Sequence, residues 1–498
     1  MAAARAASKV TAPARRRTPP GRLIPVNGLA AAIGIMRGTA AAQAPLHMTA
    51  RPNFVWGAST SAFQIEGAAH LDGRADSIWD VYLRAPGRVS HGDTAEVACD
   101  HYHRYAEDVA LMRELGLDAY RFSIAWPRVL PHGRGAVNET GLAFYDRLID
   151  ALLAAEIEPW LCLYHWDLPQ ALESLGGWQN RDIAGWFADY TALVARRYGD
   201  RVKRFATFNE PCVFTLFGYG LGWHAPGVAD EAALHKAIHH VNLSHGRAVD
   251  VLRKDVIGAS IGAIHNRQPC YPCTAHPADA AAALRLAAYW NDAFPFPQAF
   301  ASYPPEIEEA IAPYIAPGDL ADIARPVDWF GLNHYSPHYV KADTNLIGAS
   351  FGPAPDSVPR SAIGWPVVPD AFRETLMDIH RRFRLPIYVL ENGTAADDAI
   401  DAAGHIQDED RIRYLRAYTA AMEQAIVAGA DVRGYFVWSL LDNFEWGAGY
   451  SQRFGIVYVD HGTLRRIPKA SAQWYAEKIA AKRTNDPARP HNGRKIEG

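Results

Sequence analysis

Short, almost wholly apolar runs alternate along the chain with longer stretches whose apolar residues recur every three or four positions. The first pattern predicts buried strands and the second amphipathic helices. Strand candidates fall at 53–59, 119–126, 159–166, 204–209, 257–264, 327–335, 386–393 and 434–441. Helical stretches lie between them at 102–116, 141–156, 181–199, 230–254, 371–383 and 409–429. Gly116, Gly199 and Gly429 close three of these helices, where a left-handed cap residue is expected. Strands alternating with helices make a parallel sheet with right-handed crossovers, and eight strands are enough to close a barrel. The expectation is an α/β protein, a single (β/α)8 barrel. The Pro-rich residues 266–326 read as irregular and leave the fifth and sixth repeats undefined.

The ends of the chain differ from this pattern. Residues 1–50 are rich in Ala, Arg and Pro, and read as a disordered or dispensable extension, with Met48 as a candidate alternative start. The catalytic barrel is expected over 51–482 and a flexible tail over 483–498. The expected location is cytoplasmic, or exported if residues 1–44 act as a signal peptide. No apolar run reaches transmembrane length.

Composition narrows the function classes. The 498 residues are 49% hydrophobic and 21% charged, with a net charge of −4, so nothing marks a nucleic-acid or membrane partner. Five cysteines make no disulfide framework, which favours a reducing compartment. Cys270 and Cys273 form a lone C-x-x-C that Pro269 and Pro272 place in a loop; no second pair accompanies it at zinc spacing.

The chemistry gathers at strand ends. In "FATFNEPC" a buried strand must stop at Pro211, which lacks a backbone donor, and its last residues are Asn209 and Glu210. The third strand ends in Tyr164, His165, Trp166 and Asp167, the sixth in Asn333, His334 and Tyr335, and the seventh in Glu391 and Asn392. The eighth reaches Trp438 and is followed by Glu445 and Trp446. Gln64 and Glu66 follow the first strand, and Arg121 lies near the end of the second. Barrel enzymes place their active sites at this face. So many buried polar groups are costly unless they bind one another or a ligand. Amides, carboxylates and His bind hydroxyls, Trp faces stack on sugar rings, and two carboxyls of unequal pKa are what glycoside hydrolysis needs.

The motifs "FVWGASTSAFQIEGA", "YRFSIAWPR", "LYHWDLPQAL", "TFNEP", "GLNHY", "YVLENG" and "WSLLDNFEW" resemble glycoside hydrolase family 1, the β-glucosidases, from about Phe54 to Tyr475. The resemblance implies a TIM barrel with long active-site loops and a retaining β-glucosidase. Its substrates would be small β-glucosides or cello-oligosaccharides, with β-galactosides or β-fucosides sharing the same hydroxyl contacts. Residue by residue, it makes Glu210 the acid/base and Glu391 the nucleophile. Gln64, His165, Asn209, Tyr335, Trp438, Glu445 and Trp446 would bind the sugar, with Arg121, Asn333 and Trp365 supporting. Arg121 and Tyr335 would contact the nucleophile, and the guanidinium would lower its pKa. His334, where relatives often carry Tyr, is expected to point away from the pocket. No metal or organic cofactor is implied, and no motif sets the oligomeric state. A non-catalytic sugar-binding barrel would keep the Trp and amides but need not keep both Glu.

Overall fold

The computed structural model describes residues 54–484. The expectations for residues 1–50 and for most of the C-terminal tail therefore lie outside the described residues. Arg483 and Thr484, assigned above to the tail, are the last residues of a helix, and Arg483 donates to Asp118 at 2.6 Å.

Eight parallel strands close a barrel in sequence order. They are β1 (Val55–Ser59), β2 (Ala119–Ser123), β3 (Glu158–Tyr164), β4 (Arg204–Asn209), β5 (Ser260–Asn266), β6 (Trp329–Asn333), β7 (Ile387–Asn392) and β8 (Val432–Trp438), with β8 pairing back onto β1. Outer helices follow each strand: α1 (His101–Glu114), α2 (Glu139–Ala154), α3 (Ile183–Tyr198), α4 (Glu231–Asp255), α5 (Pro277–Ala287), α6 (Pro369–Phe383), α7 (Glu409–Val427) and α8 (Ala470–Thr484). Residues 266–326 are more ordered than expected. They hold α5, several short helices and a short strand, Cys270–Pro272, which pairs with His338–Ala342. Pairing of Cys270 and Pro272 on that strand corrects the loop assignment of the C-x-x-C. All five cysteines are free.

Large rings fill the barrel interior. Trp160, Trp329, Tyr388 and Phe436 pack with Cys162, Ile264 and Leu390 in one buried cluster. Glycine makes room for them: a Cβ on Gly262 would sit 2.3 Å from the Trp329 ring, and one on Gly57 2.4 Å from Phe436. Gly116 and Gly429 take positive φ as helix caps require. Gly199 does not: its φ is −68°. A Cβ there would lie 2.6 Å from Val256, so this glycine serves close packing instead.

A buried ionic cluster braces the loops after β7 and β8. Lys469 donates to Asp398 at 2.6 Å and to Asp442 at 2.7 Å. Arg411 joins Asp398 at 2.8 Å and also binds Asp408, while Arg453 bonds Asp442 at 2.7 Å. Asp398 follows the strand that carries Glu391, and Asp442 precedes Glu445, so the cluster ties both segments to one anchor.

Candidate active site

The C-terminal strand ends open into a cavity of about 490 Å³ lined by Glu210, Glu391, His165, Tyr335, Trp438, Glu445, Trp446 and Trp365, among others. Local backbone irregularity aims the carboxyls. The β4–β5 register shifts between Ala206 and Asn209, and β7 shifts against both neighbours around Glu391. A bulge re-aims the side chain that follows it. Glu210 itself takes left-handed φ of 48° and starts the short helix Pro211–Thr215. Its N–H donates to Ile264 O at 2.9 Å, which fixes this costly conformation.

The two glutamates are held unequally. Arg121 donates to Glu391 Oε1 at 2.5 Å, and Tyr335 donates its hydroxyl to Oε2 at 2.5 Å. Glu210 Oε1 instead accepts two neutral amides, Asn333 Nδ2 at 2.8 Å and Asn266 Nδ2 at 2.9 Å. Burial, then the negative field of Glu391, push Glu210 up to about 8. Burial raises Glu391 as well, and Arg121 and Tyr335 pull it back down. The Arg121 guanidinium lowers this carboxyl as expected, but removal from water outweighs it and leaves Glu391 raised. Glu445 is pushed up to about 8 by burial and by Glu391. Burial, then Arg121, hold His165 well below its ordinary range, so its ring is neutral.

Beneath the carboxyls lies an amide layer. Asn209 Oδ1 accepts from Arg121 at 2.6 Å and from Asn333 at 3.0 Å, and its Nδ2 faces His165 Nε2 at 3.1 Å. Arg121, Asn209 and Asn333 are buried behind the cavity wall. Gln64 is buried too: its amide donates to Phe444 O at 2.9 Å and Asn443 at 3.1 Å, and reaches Glu445 at 3.5 Å. It joins the β1 loop to the β8 loop. The Trp446 ring stacks on Phe63 with centroids 5.8 Å apart, and Trp438 lies nearly parallel to His165 at 6.1 Å. Trp365 is half-buried in the wall, 5.4 Å from Tyr335. His334 turns outward as expected, with Nδ1 at 2.8 Å from Arg267 O and its ring against Phe372. Glu66 also stays out of the cavity, paired with Arg128 at 2.9 Å and Tyr145 at 2.6 Å.

The sequence reading missed Asn266 and Gln268. The fifth strand candidate stops at 264, whereas β5 continues to Asn266. The polar run "HNRQ" after an apolar strand is the signal that marks them. Among the described residues no cluster of His, Cys, Asp and Glu has metal-binding geometry.

A closed (β/α)8 barrel whose strand ends present two buried, unequally held carboxyls amid amides and indoles defines a glycoside hydrolase. The family model of glycosyl hydrolase family 1 matches residues 46–484, and the chain belongs to that family. It is 43% identical over 432 residues to β-glucosidase A of Thermotoga maritima, covering 86% of this chain and 96% of that one. It is 45% identical over 437 residues to thermostable β-glucosidase B of Thermobispora bispora, covering 86% and 89%. A solved structure of a Thermotoga maritima β-glucosidase with glucoimidazole superposes with a TM-score of 0.83 at 42% identity, covering 87% of this chain and 100% of that one.

Proposed function

We propose that this enzyme is a retaining β-glucosidase that releases terminal non-reducing β-D-glucosyl residues from small β-glucosides. The observation that carries the reading is the unequal holding of its two glutamates. Glu391, gripped by Arg121 and Tyr335, is the nucleophile; Glu210, bonded to neutral amides, is the acid/base.

In the first step a Glu391 oxygen attacks the anomeric carbon and the glycosidic C–O bond breaks. Glu210 gives its proton to the departing oxygen, which leaves as an alcohol rather than an alkoxide. Glu391 is then a neutral ester, so the negative field that raised Glu210 is gone. The carboxylate left by the first step is thereby stabilised as a base. In the second step it takes a proton from water, whose oxygen attacks the same carbon, and the ester bond to Glu391 breaks. Two inversions retain the β configuration.

On this reading His165, Glu445 and Trp446 of the cavity wall take the outer hydroxyls and Trp438 is the stacking floor; Asn209, assigned to the 2-hydroxyl, and Gln64 lie buried just behind, bonded to His165 and Glu445. A relative at 41% identity is a bifunctional β-D-glucosidase/β-D-fucosidase of Bifidobacterium breve, which supports β-fucosides as further substrates. On this reading the catalytic unit is the barrel from residue 51 onward, and residues 1–50 are dispensable for it.

The test is nitrophenol release from β-glucoside, α-glucoside and β-galactoside, with the product anomer followed by proton NMR. Cleavage of β-glucoside with β-glucose appearing first supports the reading. Folded enzyme inert on β-glycosides, or α-glucose as first product, overturns it.

A further inference from the structure

The cavity has two chemically different halves. Around the glutamates it is lined by hydrogen-bonding groups. Elsewhere the lining includes a cluster of rings, Phe217, Trp290, His338 and Phe351, together with Arg360, whose Nη2 donates to Ala354 O at 2.9 Å. These rings lock one another edge to face. Trp290 lies 4.6 Å from His338 and 5.7 Å from Phe351 between centroids, and Phe217 lies 6.0 Å from Phe351. Burial holds His338 down at about 3, so its ring carries no charge. The cluster is also tied to the catalytic carboxyl: Trp290 Nε1 donates to Asn266 Oδ1 at 3.1 Å, and Asn266 donates to Glu210 at 2.9 Å. A wall preset in this way loses little freedom when a flat ligand meets it.

The buried amides on this side are already engaged. Asn266 bonds Glu210, Trp290 and Gln268. Gln268 donates to Asn266 at 2.9 Å and accepts the Ser336 N–H at 2.9 Å. Hydroxyls of a second sugar would leave water here and meet paired amides and apolar rings, which is unfavourable. An aryl group would leave water and gain ring contacts.

The aromatic surface continues outward. Trp223 is 52% exposed. Its ring leans on Phe217 at 5.2 Å and lies 6.4 Å from Phe351. Its backbone is fixed on both sides: the N–H donates to Phe217 O at 2.7 Å and its carbonyl accepts the Tyr82 hydroxyl at 2.8 Å. An indole held this firmly, yet left half in water beside the cavity, is a stacking platform.

We propose that the outer half of the cavity selects β-glucosides with a flat, apolar aryl leaving group of two or more rings, and that Trp223 is its outer specificity-determining platform. The inference rests on the β-glucosidase reading above. Sulfur-linked ligands separate binding from leaving-group chemistry. Calorimetry on the intact enzyme gives Kd for 2-naphthyl 1-thio-β-D-glucoside, methyl 1-thio-β-D-glucoside and thiocellobiose. The naphthyl ligand is expected to bind at least about tenfold tighter than thiocellobiose. Trp223→Ala is expected to weaken it about tenfold while shifting the methyl ligand less than about twofold, and Trp223→Phe to restore most of the loss. Equal affinity for thiocellobiose and the naphthyl ligand overturns the proposal, as does equal weakening of all three ligands by Trp223→Ala. Because Kd needs no turnover, nitrophenol release measured alongside separates the two readings: loss of turnover strikes the β-glucosidase reading, and a flat Kd series strikes this one.

Discussion

Arg121 and Glu391 form a buried ion pair at 2.5 Å, while Glu210 accepts hydrogen bonds from two neutral amides. Arg121 thus bonds one of the two carboxyls and not the other. This asymmetry assigns the two carboxyls different work and sets the following expectations.

Glu391→Gly removes the nucleophile and is expected to lower turnover of nitrophenyl β-glucoside at least about a thousandfold. Added azide enters the vacated face and restores nitrophenol release, giving α-glucosyl azide. Product NMR checks this. A β-azide product would place the nucleophile elsewhere.

Arg121→Met leaves Glu391 buried without its cation, so the carboxyl holds its proton to higher pH. The ionised fraction falls at any given pH, and the acidic limb of kcat/KM is expected to move to higher pH. A pH–rate series from 4 to 9 reads it, with circular dichroism confirming the fold. An unmoved limb would mean that another group titrates there.

Asn333→Ala removes an amide that favours the ionised form of Glu210. Glu210 must be protonated for the first step, so wild-type activity falls as pH rises through about 8. With Asn333 gone the proton is held longer, and the alkaline limb moves to higher pH. The measurement is kcat/KM from pH 6 to 10. A shift toward lower pH contradicts the assignment.

Lys469→Met takes one cation out of the buried cluster, leaving Asp398 to Arg411 and Asp442 to Arg453, and is expected to cost about 3 kcal/mol, read as a lowered thermal midpoint. Asp398 adds a pH signature. Burial raises its carboxyl, but Arg411 and Lys469 outweigh that and leave it below its ordinary value. Its stabilisation is therefore complete above the unfolded pKa of about 4 and is lost as pH falls through the lower folded value. The wild-type midpoint should drop on acidification below about pH 4, and Asp398→Asn should flatten that drop. Parallel curves for the two proteins would remove Asp398 from the account.

The alternation of apolar runs and helical periods determined the barrel, because each buried strand must be apolar along its length and each outer helix only along one face. Pro211 stopped β4 after Asn209, just before Glu210, and the other polar strand ends stood out against apolar neighbours. The resemblance rested on those same positions. Tertiary structure decided what each group touches. Gln64 turned to the β8 loop, and Glu66 to Arg128. Asn266 became a partner of Glu210 because β5 ran two residues further than its apolar pattern. Gly199 proved a packing residue, since its neighbour Val256 comes from beyond α4. The raised carboxyls depend on removal from water, which no local sequence encodes. Trp223 meets Phe351 across more than a hundred residues of chain, and only folding brings those rings to one mouth.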